Sequence, residues 1–153
     1  MGITSYAIAL GSNRPGRHGP PRRELMAALA ELAPVAASPI LDTPPLGPSI
    51  RRYANAVAII ETDEDPPALL ARLKGIERAF GRRPGRRWGA RVLDLDILLW
   101  SEGAWSGPGL TIPHPQFRGR GFVLDPLVRV VPDWRDPLSG RTVRQLCARL
   151  RGR

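Results

Sequence analysis

The stretch Val92-Leu93-Asp94-Leu95-Asp96-Ile97-Leu98-Leu99-Trp100 reads as a β-strand and sets the frame for the rest of the chain. Apolar and acidic residues alternate through its first half, and successive side chains on a strand point to opposite faces. Leu93, Leu95 and Ile97 therefore belong to a buried face, with Asp94 and Asp96 together on the other. Carboxylates two residues apart on a strand stand roughly 6–7 Å from each other along it. Such a pair suits a hard cation held through oxygen, Mg²⁺ above all. A solvated face of an edge strand would show the same pattern, and both readings stay open from these residues alone.

Upstream, "GRRPGRRWGAR" (81–91) is too polar and too rich in glycine and proline to be a core element. Its five arginines, Arg82, Arg83, Arg86, Arg87 and Arg91, repel one another unless anions lie among them, and the guanidinium fork matches phosphate oxygens. A basic loop beside an acidic pair is what a polyphosphate with Mg²⁺ requires. An exposed basic loop or a nucleic-acid patch is the competing reading. Trp88 could stack on a planar ring or anchor the loop. This segment is expected to be mobile without ligand and ordered with it.

Further upstream, residues 67–80 place Leu69, Leu70, Leu73, Ile76 and Phe80 on one helical face after Pro66 and Pro67. Residues 53–62 and 35–43 read as strands, the second stopped by Pro44-Pro45. Residues 22–33 carry Leu25, Met26, Leu29 and Leu32 at helical spacing, and residues 3–10 form a buried strand closed by a Gly11-Ser12-Asn13 turn. Downstream lie turn-rich residues 101–109, the segment "LTIPHPQFRGRGFVLDPL" and a helix over 142–150. The order β-α-β-β-α-β with a tail predicts an α+β domain, a mostly antiparallel sheet with helices packed on it. Residues 1–153 read as one domain.

The 153 residues suffice for a core, and 42% hydrophobic against 24% charged residues exclude disorder. No apolar run approaches the ~18 residues of a membrane span. "MGITSYAIALGSN" has no basic segment before its apolar run, so it reads as a strand and not as a signal peptide. Cys147 is the only cysteine, which excludes an intrachain disulfide and fits a reducing, cytoplasmic setting. The formal charge of +9 admits an anionic partner or a compositional preference for arginine. Lys74, the only lysine, sits in "LKGI", so there is no P-loop and no protein-kinase signature. His114, held between Pro113 and Pro115, could meet a phosphate or a hydroxyl, or serve structure alone.

Five segments together carry a resemblance: "ALGSN" (9–13), "TPPLG" (43–47), "YANAV" (53–57), "RWGARVLDLDILLW" (87–100) and "TIPHPQFRGRGFVLDPL" (111–127). They resemble the 6-hydroxymethyl-7,8-dihydropterin pyrophosphokinases of folate biosynthesis over nearly the whole chain. The resemblance implies a ferredoxin-like two-layer sandwich and transfer of the two terminal phosphates of ATP to a pterin alcohol. It implies that Asp94 and Asp96 hold two Mg²⁺ ions and that Arg82 and Arg91 engage the phosphates. Glu77, Ile97, Thr111, His114 and Arg120 fall on the ATP side. Tyr53 and Phe122 enclose the pterin, Asn55 reads its hydrogen-bonding edge, Thr43, Pro44 and Leu46 border the ring, and Trp88 and Asp94 complete that side. It assigns no role to His18 and no separate roles to Arg83, Arg86 and Arg87. Partners are expected to be these small molecules alone, bound by a monomer, without nucleic acid or membrane. The rival class is a nucleic-acid-binding domain, which has the charge and Trp88 for it. It leaves the acidic pair beside the basic loop unexplained, since carboxylates repel phosphates unless metal intervenes. A related enzyme of another pterin route would carry the same residues.

Overall fold

The computed structural model describes residues 2–43, 52–81 and 91–152. Pro44, Leu46, Arg82 and Trp88, with Arg83, Arg86 and Arg87, lie outside the described residues. The central strand β1 (Thr4–Ser12) pairs antiparallel with β4 (Tyr53–Thr62) on one side and β5 (Asp94–Trp100) on the other. The short strands β2 (Ala36–Ala37) and β3 (Leu41–Thr43) both line the outer edge of β4, giving the order β2-β4-β1-β5. Helices α1 (Pro21–Leu32) and α2 (Pro66–Ala79) connect the strands and pack on one face. This is the expected antiparallel α+β, ferredoxin-like arrangement.

Local chemistry accounts for the boundaries. Proline at the first turn presets both helices. Asp65 caps α2 by accepting the Ala68 N–H at 2.9 Å. Leu25 and Leu32 of α1, and Leu69, Leu73 and Ile76 of α2, bury against Tyr6, Ile8 and Leu10 of β1. Full burial of each such side chain is worth about 1.5–3 kcal/mol. Met26 departs from the expected stripe and is 56% exposed.

Three expectations change. Gly11 and Ser12 are not a turn: β1 runs through them, with Gly11 opposite Asn55 on one side and Asp94 on the other. The strand expected over 35–43 splits at Ser38-Pro39, where proline cannot donate to the ladder. The Ser38 hydroxyl instead accepts the Val57 N–H at 2.9 Å. Residues 105–112 are a hairpin, β6 (Trp105–Gly107) and β7 (Leu110–Ile112), joined by Pro108-Gly109 with Gly109 at φ +70°. Proline followed by a left-handed glycine is the preference of a type II turn.

The tail supplies α3 (Gly121–Val128) and α4 (Val143–Arg151), which cover part of the sheet's other face. A bulge lets β5 serve both sides. Ala7 pairs with Leu99 and Ile8 with Ile97, so Leu98 has no partner of its own in the ladder. Leu98 and Leu99 then both join the tail's cluster, while Ile97 and Trp100 pack on the α1–α2 side. Among the described residues no helix is long and apolar enough to cross a membrane.

Candidate active site

Gly11 is the centre of the site. Its two cross-strand partners are Asn55 and Asp94, so an amide and a carboxylate flank a residue with no side chain. Two residues back, Ala9 lies opposite Val57 and Asp96. Small residues on the central strand thus make a floor, and functional side chains rise from the strands beside it. A Cβ built on Gly11 would already touch Asn55 Oδ1 at 3.4 Å.

Above this floor is a cavity of about 360 Å³ bordered by Thr43, Tyr53, Asn55, Asp94, Asp96 and Phe122, with His114 and Arg120 at its rim. The Asn55 amide donates to Thr43 Oγ1 at 2.8 Å, which fixes the orientation of its carbonyl oxygen. A second cavity, of about 570 Å³, lies between α2 and the β6–β7 hairpin, bordered by Lys74, Glu77, Arg91, Ile97 and Thr111. Asp94, Asp96 and His114 line both. The two acids and the histidine therefore form the wall that the cavities share.

Electrostatics mark that wall. Burial pushes the Asp94 carboxyl up from its ordinary range, against the pull of the Arg91 guanidinium, 3.2 Å from Oδ1, and of Lys74. Asp96 opens to solvent at the mouth of the cleft but is otherwise surrounded. Burial and then repulsion by Asp94 raise it, while His114, Arg120 and Lys74 oppose the rise. Glu77, only 4% exposed, is pushed up to about 7, chiefly by burial, although its Oε2 accepts the Leu95 N–H at 2.7 Å. Acids raised in this way mark a site that favours added positive charge. Burial lowers His114, and its Nδ1 accepts the Gln116 N–H at 3.1 Å, leaving Nε2 to carry the proton of the neutral ring.

The described residues expected in the site line one or the other of the two cavities. Thr43, Tyr53, Asn55 and Phe122 gather in the first cavity; Glu77, Arg91, Ile97 and Thr111 gather in the second. Arg120, expected on the ATP side, borders the first cavity instead, with its guanidinium 5.7 Å above the Phe122 ring. Four residues escaped the sequence reading: Lys74, Gly11, Ala9 and Asn13. Lys74 lines the second cavity, although its place in the sequence spoke only against a P-loop. Gly11 and Ala9 form the floor. Asn13 grips Arg91 from both ends of one peptide unit pair: its N–H donates to the Arg91 carbonyl at 3.0 Å, and its Oδ1 accepts the Arg91 N–H at 2.7 Å. The alternating floor could have been drawn from the strand pattern; the Asn13 grip joins residues 78 apart and left no local signal.

Comparison with known proteins places the chain among relatives of one family. The family model described as 7,8-dihydro-6-hydroxymethylpterin-pyrophosphokinase (HPPK) matches residues 7–132. A 2-amino-4-hydroxy-6-hydroxymethyldihydropteridine pyrophosphokinase of Pseudomonas aeruginosa is 42% identical over 153 residues, covering 95% of this chain and 91% of that protein. The protein of that name from Synechocystis is 40% identical over 137 residues, covering 86% and 70%. Among solved structures, Plasmodium falciparum HPPK-DHPS with the A437G substitution and SDX-DHP aligns at a TM-score of 0.76 and 14% identity, covering 96% of this chain. This chain spans 45% of that longer protein, and the likeness bears on the fold.

Proposed function

The chain belongs to the 7,8-dihydro-6-hydroxymethylpterin-pyrophosphokinase family, and from that premise we propose that it transfers pyrophosphate from ATP to 6-hydroxymethyl-7,8-dihydropterin in folate biosynthesis. The observation that carries this reading is the shared wall: one cavity on each side of Asp94, Asp96 and His114. Two substrates bound on either side meet at that wall.

The smaller cavity suits a flat bicyclic ring. Tyr53 and Phe122 would cover its faces, and the oriented Asn55 amide would read its edge beside Thr43. Pro44, Leu46 and Trp88 are assigned to the same substrate. The larger cavity takes ATP, with Thr111, Ile97 and His114 on one flank and Lys74, Glu77 and Arg91 on the other; Arg82 belongs with them, and Arg120 stands at the junction. The acids fit Mg²⁺. Two carboxylates, with no set of three side chains placed to hold a metal among the described residues, are too few for an all-protein cation cage. They match a Mg²⁺ that completes its shell with substrate phosphates. Two ions are proposed here, and bound there they would neutralise charge developing on the phosphates.

In the step itself the pterin hydroxymethyl oxygen attacks the β-phosphorus, the bond to the α-phosphate oxygen breaks, AMP leaves, and the hydroxyl proton is released to water. Arg91, held against Asp94 and gripped by Asn13, presents a fixed positive charge on the nucleotide side. No side chain stands out as a general base, so positioning and electrostatics supply most of the rate. Residues 1–153 are proposed to act as one domain and one monomer, in the cytoplasm, without a nucleic-acid partner. Incubation with ATP, Mg²⁺ and the pterin alcohol followed by chromatography tests the assignment. AMP with a pterin diphosphate is the expected outcome; ADP with a monophosphorylated pterin would overturn it.

A further inference from the structure

Outside the two cavities the described residues hold one buried carboxylate with an unusual partner. Glu24, in the first turn of α1, has no solvent exposure. Its Oε2 accepts the His18 backbone N–H at 2.6 Å, and its Oε1 stands 3.0 Å from His18 Nδ1. The carboxylate thereby gathers the turn 16–19, which Gly16 and Gly19 close with two backbone hydrogen bonds of 3.0 and 3.1 Å. A buried carboxylate so placed is expensive unless its partners stay put, so the turn is held firmly.

That turn touches the chain on either side of residues 81–91. The His18 ring packs on Phe80 with centroids 4.8 Å apart. Gly16 lies so close to Val92 that an added Cβ would stand 2.6 Å from Val92 Cγ1 and 3.1 Å from the Glu24 carboxyl. Val92 follows Arg91, whose backbone is gripped by Asn13 and whose guanidinium meets Asp94. The contacts run without a gap from Glu24 through the turn to Val92, Arg91 and Asp94.

We propose that the Glu24-anchored turn is a positioning element for the reaction: Glu24 and His18 set the turn, Gly16 seats Val92, and the seat holds Arg91 against Asp94. None of Glu24, His18, Gly16 and Val92 lines either cavity. Their contribution is the placement of a cation and a carboxylate that do. This rests on the proposed function for its catalytic readout, but the placement has a readout of its own.

The test is the substitution Gly16→Ala. Gly16 lies outside the left-handed region, so alanine acts chiefly through its methyl, whose tightest contact is Val92 Cγ1 at 2.6 Å, with the Glu24 carboxyl next at 3.1 Å. The expected result is a fall in kcat of roughly tenfold or more, with KM for the pterin changed less than about twofold, because misplaced groups cost rate more than ground-state binding. Amide exchange at Arg91 should quicken as its bond to Asn13 loosens. Adding Val92→Ala removes the opposing methyl and should restore most of the kcat lost, a rescue that general destabilisation would not give. A kcat within about twofold of wild type, or a loss that Val92→Ala does not relieve, overturns the proposal. Should Gly16→Ala fail to fold, His18→Ala is read by the same two measurements: unchanged kcat and unchanged Arg91 exchange overturn it. Wild-type protein that converts no pterin would sink the pyrophosphokinase reading by itself. The positioning claim would then stand or fall on Arg91 exchange alone, with unchanged protection in Gly16→Ala refuting it.

Discussion

Asp94 and Asp96 differ in their surroundings although they share a face. Asp94 already has Arg91 at 3.2 Å, whereas the rise of Asp96 is opposed, among the described residues, by His114, Arg120 and Lys74. Asp96→Asn should therefore cost turnover without costing the fold. A loss of about two to three orders of magnitude in kcat is expected, because Asp96 acts through the cation it is proposed to hold against the developing phosphate charge. Circular dichroism should be unchanged, and an unfolded variant would mean the acid is structural. The floor gives a second, more selective expectation. Ala9 borders the smaller cavity and not the larger one. Ala9→Leu should raise KM for the pterin by about tenfold or more through lost space, while KM for ATP stays put; equal rises in both would move the pterin elsewhere. The acidic pair was legible in the sequence because a strand's alternation is local. Asn55 and Tyr53 were legible only through family likeness, since an amide and a phenol on a strand look like any others. Lys74 was hidden because helical spacing shows a face but not which cavity that face meets.

The tail elements illustrate where local pattern stops informing. Helix α3 begins at a glycine and contains Pro126, both of which read as loop signals, yet Val123, Leu124 and Leu127 bury fully enough to hold it against β4 and α4. Strands β6 and β7, three residues each, are too short for alternation to register. Long elements such as β4 and α2 were readable because their periodicity repeats several times. The tail layer depends on a polar tie at Asp136, which has no solvent exposure. Burial would raise its carboxyl, but hydrogen bonds from Arg118 (2.5 and 2.7 Å), Ser139 and the Leu138 N–H overcome that and hold it at about 2. Asp136→Asn should lower unfolding free energy by about 3–5 kcal/mol, the usual result of breaking a buried pair on one side. Denaturant titration at neutral pH would measure it, and a change under about 1 kcal/mol would show the tie to be dispensable.

At the scale of the molecule, charge governs behaviour in solution. A formal +9 should draw nucleic acid weakly and without sequence preference, with affinity falling steeply as salt rises; tight, selective binding at physiological salt would favour the rival class. Proton linkage makes a further prediction. Glu77 is raised to about 7 in the folded protein from an ordinary value near 4.5. Between those two values the folded state binds the proton that the unfolded state has released. Stability from this group is then fully present below about pH 4.5 and is lost as pH rises toward 7, on the order of 3 kcal/mol in all. Asp136 acts in the opposite sense and lower down: its stabilisation is present above about pH 4 and disappears as pH falls through 2. The two together place the maximum of nucleotide-free stability in the mildly acidic range. Glu77→Gln cannot ionise, so it should flatten the decline between pH 5 and 7.5 while leaving the acid limb unchanged. Urea midpoints of both proteins across that range would decide it. Parallel profiles would show that Glu77 is ordinarily ionised in the folded protein, and that the Leu95 N–H and nearby cations outweigh its burial.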